Sequence, residues 1–282
     1  MDGTHEKRPE GARLRAVALL PAAATVGNLL CGVLGLLCAL QSLHGSGTPR
    51  AVAEWLPSWT AAGAYLTVLA LVFDALDGRL ARLTRRTSEF GAQLDSLADV
   101  VSFGVSPMML YLALLMGGGA GTVEWRLALA GTLVFSSCAA IRLARYNAEN
   151  TRSDLAQRRF SGLPVPGAAA VFASLLLLHE DFRHVEKLEG AGAALRLMLG
   201  PCALALAALM VSRLEHAHLF NTYVRRDQPL HHLVWLVAVL VLLWFWPALV
   251  LALASLLYVG SCVAIALARR RRAQLGASAS SD

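Results

Sequence analysis

The chain has 282 residues, 56% of them hydrophobic and only 16% charged, with a net charge of +6, and its mean hydropathy is +0.55. Soluble globular chains carry about 25% charged residues, so the composition excludes an ordinary soluble domain, and with it the disordered, collagenous and disulfide-stapled classes. About eight spans of roughly 20 residues would absorb the apolar content and leave no room for a large soluble domain.

In chain order, a polar segment over residues 1–16 precedes a first apolar window at 17–41. That window is long enough to span and lacks a small-residue cleavage site, so it reads as a membrane helix, not a signal peptide. Further windows fall at 58–78, 94–116, 124–141, 164–179, 195–211, 232–246 and 248–268. Pro247 divides the last two, and a kink in one long helix there would give seven spans. Most of the 25 Lys and Arg residues sit in alternate connections: Arg79 to Arg86, Arg142 to Arg159, Arg213 to Arg226, and the two ends of the chain. Basic residues near span ends favour the cytoplasmic side. The pattern predicts an all-α integral membrane bundle of about eight helices with both termini cytoplasmic. A single transmembrane domain is expected over 17–268, followed by a basic cytoplasmic tail over 269–282. A basic face beside anionic lipid accounts for the net charge without nucleic acid.

The stretch from Leu71 to Pro107 breaks the apolar pattern by placing Asp74, Asp77, Asp95 and Asp99 in or against spans. An acidic residue at a helix centre costs about 2.5 to 3.5 kcal/mol on insertion scales, so such groups point to function. Asp74, Asp77, Gly78, Ala81 and Arg82 follow i, i+3, i+4, i+7, i+8 spacing, one face of a helix. Gly91, Asp95 and Asp99 step by four along the next helix. Two antiparallel helices joined by the basic loop 83–90 would therefore aim two carboxylate pairs at one point. Four hard oxygen donors suit Mg²⁺ or Mn²⁺, and two ions about 3.5 to 4 Å apart would clamp a pyrophosphate. Gly78 and Ala81 keep that face small enough for a phosphate to approach the backbone.

From Asp74 to Asp99 the residues read D-x2-D-G-x2-A-R-x8-G-x3-D-x3-D, which resembles the signature of the CDP-alcohol phosphatidyltransferase family, with every specified position matched. The resemblance implies that Asp74, Asp77, Asp95 and Asp99 bind a pair of metal ions, with Asp99 also the general base, and that Gly78, Ala81, Arg82 and Ser88 contact the CDP-lipid. The segments GNLLCG (Gly27 to Gly32), RLARYN (Arg142 to Asn147) and FSGLPVPGAAA (Phe160 to Ala170) further resemble the bacterial membrane-embedded phosphatidylserine synthases. The implied reaction moves the phosphatidyl group of CDP-diacylglycerol to L-serine and releases CMP. The implied setting is a homodimer in the bacterial inner membrane, with its active site facing the cytoplasm.

Asn28, a polar residue inside the first span, reads as a contact to phosphate or nucleotide, with interhelical hydrogen bonding as the alternative. Arg142 and Arg145 suit the carboxylate of serine, although arginines at a cytoplasmic helix end also arise as interfacial anchors. His216, His218, His231 and His232 lack metal-ligand spacing and read as a solvated loop. Cys31, Cys38, Cys138, Cys202 and Cys262 are scattered and read as packing residues. Two other functions stay open: a sister transferase using inositol phosphate, glycerol phosphate or choline, and a cation or proton transporter. Transport is disfavoured because no half-chain repeat is visible and the acidic residues cluster near one boundary.

Overall fold

The computed structural model describes residues 10–44, 58–84, 89–117, 119–150, 162–183, 185–212 and 241–279. The regular elements are α1 (Glu10–Leu43), α2 (Trp59–Thr84), α3 (Glu89–Asp99), a π-helical turn (Val100–Val105), α4 (Ser106–Gly117), α5 (Thr122–Asn150), α6 (Val165–Arg183), a 3₁₀ turn (Glu186–Leu188), α7 (Glu189–Val211) and α8 (Pro247–Ala279). Among the described residues, seven helices are long and apolar enough to cross a membrane, with α3, the π turn and α4 forming one of them, Phe90–Gly117. The protein is an all-α integral membrane protein. The expected window at 232–246 lies mostly outside the described residues. At its end the Trp246 N–H donates to the Leu242 carbonyl at 2.8 Å and the Val250 N–H to the Trp246 carbonyl at 3.1 Å, so helical bonding flanks Pro247 on both sides. The first helix begins at Glu10, ahead of the expected span, but its membrane-length apolar part runs from Pro21 to Leu43.

In lipid there is little hydrophobic drive between helices, so close packing by small residues holds the bundle together. α1 packs most extensively along α2 and also meets α3, the π turn and α4. A methyl group at Gly32 would meet the Ser102 hydroxyl and come within 2.7 Å of the Ser102 Cα, and one at Gly27 would lie 3.0 Å from the Phe73 ring. Only glycine lets α1 come this near. α5 and α7 use the same device, with Gly131 against Ala203 and Gly200 against Leu127.

α6 is the central helix, buried along most of its length and packed on α2, α7 and α8. Phe172 on α6 sits edge-on to Tyr111 of α4, with ring centroids 5.6 Å apart, and 6.1 Å from Phe135 of α5. Gly162 enters α6 at φ +87°, a conformation that side-chain-bearing residues rarely adopt. Next to it the Leu163 N–H donates to the Leu209 carbonyl at 3.0 Å, tying the start of α6 to the end of α7.

Candidate active site

The late turns of α2 and the whole of α3 carry the acidic residues. Asp74, Asp95 and Asp99 each offer one carboxylate oxygen, and these three atoms lie within 4.8 Å of one another. Asp95 and Asp99 are one helical turn apart and so share a face, while Asp74 reaches them from the neighbouring helix. Asp77 lies outside this trio. Three residues of helix turn its direction about 60° from that of Asp74 and raise it about 4.5 Å along the axis. Its Oδ2 accepts from Thr25 on α1 at 3.2 Å, and the Thr25 Oγ1 lies 3.1 Å from the Pro21 carbonyl, so one hydroxyl proton serves two acceptors.

α1 also holds Asp99. Asn28, fully buried, donates from Nδ2 to the Asp99 Oδ1 at 2.9 Å. The Asn28 main-chain carbonyl in turn accepts from Ser102 Oγ at 2.9 Å. Ser102 belongs to the π turn that follows Asp99 directly, and the Ser106 N–H donating to the Val101 carbonyl closes its wider loop. π turns inside α-helices are common at functional sites because the extra residue re-aims the side chains around it. Of the two roles read for Asn28, the interhelical one is therefore present in the structure, directed at the carboxylate expected to act as base. Thr25 and Ser102 escaped the sequence reading. Thr25 sits three residues before Asn28, on the same helix face, and that spacing was the available signal.

The site is chemically one-sided. Among the described residues no Lys or Arg pairs with any of the four aspartates, and the Asp95 Oδ1 is buried without a hydrogen-bond partner. Like charges at this spacing repel by on the order of 3 kcal/mol per pair at an effective dielectric near 20. Three acceptor-only carboxylates with an orphaned oxygen fit a hard divalent cation.

The other expected residues are distributed around this centre. Gly78 is open, and a methyl group placed there would meet nothing within 4 Å. Arg82 is exposed at the end of α2. Ala81 lies on α2, but its side chain is outside what is described, and Ser88 lies outside the described residues altogether, as do the four histidines between 216 and 232. Arg142 on α5 is partly buried, its Nε has no partner, and it is within electrostatic range of Asp99 and of Tyr258 on α8. Arg145 is also half-buried and is held by an interaction of its own. Asn147, the last residue of the RLARYN segment, donates to the Ser96 Oγ at 2.8 Å and so fastens α5 to the carboxylate helix.

Residues 18–210 match the family model for CDP-alcohol phosphatidyltransferases. The chain belongs to the CDP-alcohol phosphatidyltransferase family. It is 40% identical over 155 residues to a CDP-diacylglycerol–serine O-phosphatidyltransferase of Helicobacter pylori, a match covering 54% of this chain and 59% of that protein. A Mycobacterium bovis protein of the same description is 33% identical over 179 residues, 62% of this chain and 54% of its own length. One from Bacillus subtilis is 30% identical over 199 residues, 71% of this chain and 90% of that relative. The matched part thus spans little more than half of the first two. The family match runs from within α1 to the last turn of α7, includes every residue of the carboxylate centre, and leaves α8 outside it.

Proposed function

We propose that this protein is a phosphatidylserine synthase, transferring the phosphatidyl group of CDP-diacylglycerol to the hydroxyl of L-serine with release of CMP. The observation that carries the reading is the trio of Asp74, Asp95 and Asp99, without cationic partners among the described residues, in a chain of this family. Its similarity to CDP-diacylglycerol–serine O-phosphatidyltransferases supports serine as acceptor.

Asp74, Asp95 and Asp99, with Asp77 beside them, are the residues that would hold Mg²⁺ or Mn²⁺, as a pair of ions in this reading. Bound there, the metal neutralises the pyrophosphate of the CDP-lipid and stabilises the charge developing on it. The protein's own residues do the rest. Open Gly78 and small Ala81 admit the pyrophosphate, while Arg82, at the end of α2, and Ser88 bind it. Asp99 accepts the proton of the serine hydroxyl, and the Asn28 amide fixes the direction from which that carboxylate faces the acceptor. The serine oxygen forms its bond to the phosphorus bearing diacylglycerol, and the bond from that phosphorus to the CMP oxygen breaks. Arg142, with Arg145 beside it, receives the carboxylate of serine.

The reading places the catalytic domain at 17–268 between a cytoplasmic segment over 1–16 and a tail over 269–282, as a homodimer in the bacterial inner membrane. The carboxylate end then faces the cytoplasm, in keeping with the basic residues at that end of the helices.

The test is CMP release from CDP-diacylglycerol by the purified full-length protein with Mg²⁺ or Mn²⁺. L-serine, inositol phosphate, glycerol phosphate and choline are supplied separately. Release with serine alone is expected; release with another alcohol would replace the acceptor, and release with none would overturn the transferase reading.

A further inference from the structure

A second polar site lies at the other end of the bundle. Ser42 is fourteen residues along α1 from Asn28, and Thr60 fourteen before Asp74 on α2. At 1.5 Å per residue each separation is about 21 Å, most of the roughly 30 Å hydrocarbon thickness of a bilayer. Between these helix ends and those of α4, α6 and α7 is a cavity of about 570 Å³. Nothing in the transferase chemistry uses it.

Its wall carries hydroxyls from Ser42 and Thr60, cations from Arg183 and Arg196, the carboxylate of Glu189 and the imidazole of His179. His179 is 3% exposed, and its Nδ1 lies 3.0 Å from the Gly192 carbonyl. A carbonyl only accepts, so Nδ1 carries the proton and Nε2 is left as an acceptor. Arg183 spends one N–H on Glu180 at 3.3 Å, while more than half of its side chain remains exposed. Arg196 is paired with Glu124 at 2.9 Å. Each cation thus has a carboxylate behind it, and Glu189 adds a further negative charge. The cavity is not a net cationic trap for a simple anion; it presents both signs within one small volume. The floor changes character, with Ala113 and Leu114 of the buried core closing it.

We propose that this cavity binds the headgroup of a zwitterionic phospholipid from the leaflet opposite the carboxylate centre. The phosphodiester takes the guanidinium N–H groups of Arg183 and the hydroxyls of Ser42 and Thr60. The primary ammonium takes Glu189 and the His179 Nε2, and the acyl chains lie over the exposed apolar side chains beside the cavity, Leu40, Leu43 and Met116. A free phosphate has no counterpart for the acceptor half of the wall. A soluble zwitterion would make the same polar contacts but gain nothing from a site at the membrane boundary.

Native mass spectrometry of the detergent-solubilised full-length protein tests this with short-chain phosphatidylethanolamine, short-chain phosphatidylglycerol and free phosphoethanolamine. The expected result is retention of phosphatidylethanolamine over the other two. Arg183→Gln should weaken that retention by about tenfold or more, the loss expected for a charge-assisted hydrogen bond. Ala193→Leu narrows the cavity while all four ion-pair residues are kept, and should do the same if Arg183→Gln fails to fold. Glu189→Gln should narrow the preference for phosphatidylethanolamine over phosphatidylglycerol. Equal retention of the two lipids by the unmodified protein would overturn the zwitterionic assignment, and binding of free phosphoethanolamine as tight as the lipid would overturn the lipid one. Retention unchanged in both Arg183→Gln and Ala193→Leu would overturn the site.

Discussion

At one end of the bundle Glu124 lies 2.9 Å from Arg196 and Glu180 lies 3.3 Å from Arg183. At the other, Asp74, Asp95 and Asp99 converge within 4.8 Å with no described Lys or Arg to meet them. Both ends bury carboxylates, and both pay the desolvation that burial demands. The paired end is compensated within the chain, so its two ion pairs stand without any ligand. The unpaired end is compensated only when something positive arrives, and its charges are kept for that purpose. The same residue type thus carries opposite consequences at the two ends, and five substitutions make the contrast measurable.

The largest effect is expected from Asp99→Asn. The amide oxygen still accepts the Asn28 proton, so the local geometry survives while the proton acceptor is lost. CMP release should fall by about 10²- to 10⁴-fold, the usual worth of a positioned general base, while equilibrium binding of CDP-diacylglycerol is retained. Substantial remaining turnover would remove Asp99 from the role of base.

At the paired end, Arg196→Ala strands Glu124, which is 7% exposed. Breaking a buried pair from one side costs about 3 to 5 kcal/mol, and the partial exposure of Arg196 places this case near the lower figure. The melting temperature in detergent should fall, with KM for either substrate unaltered. A raised KM with an unchanged melting temperature would show that the pair serves the reaction instead.

Asp95→Asn should act in the reverse sense. Without divalent metal the variant should be more stable than the parent by about 1 to 2 kcal/mol, a fraction of the pairwise repulsion it relieves. Adding Mg²⁺ or Mn²⁺ should raise the melting temperature of the parent, since binding to the folded state alone stabilises it, and should leave the variant nearly unmoved. A parent protein indifferent to both metals and to chelator would separate the trio from metal binding.

The carboxylate end was legible in the sequence because acidic residues are expensive in a span and four of them fell at helical spacing. Periodicity reports which face a residue occupies, however, and not what stands opposite. That is enough to group Asp77 with the other three, but not to show that Thr25 on α1 holds its Oδ2. Asn28 stood out as a polar residue in a span, but its partner is 71 positions away. The π turn after Asp99 had no signature in residue type, since VVSFGV serves equally well as ordinary helix. The pairing of Glu124 with Arg196, 72 positions apart, was hidden for another reason. Arg196 falls inside the expected window 195–211, but nothing in that window says that its helix faces α5, where Glu124 stands.

Glycine gives the finest version of the comparison, because one added methyl group should read differently at two positions. At Gly32 it would press into Ser102, whose hydroxyl holds the Asn28 carbonyl. Overpacking of this kind costs typically about 1 to 3 kcal/mol, and it would also disturb the support of Asp99, so stability and turnover should fall together. At Gly78 the methyl group meets nothing within 4 Å, and replacing a helical glycine by alanine favours the helix by roughly 0.5 to 1 kcal/mol. Gly78→Ala should therefore leave the protein slightly more stable. If the open space beside Gly78 is where the CDP-lipid approaches the backbone, KM for CDP-diacylglycerol should nevertheless rise severalfold, with KM for serine unmoved. A more stable protein with unchanged KM for the lipid would mean that the space is vacant in the working complex, and would move the nucleotide away from this face of α2.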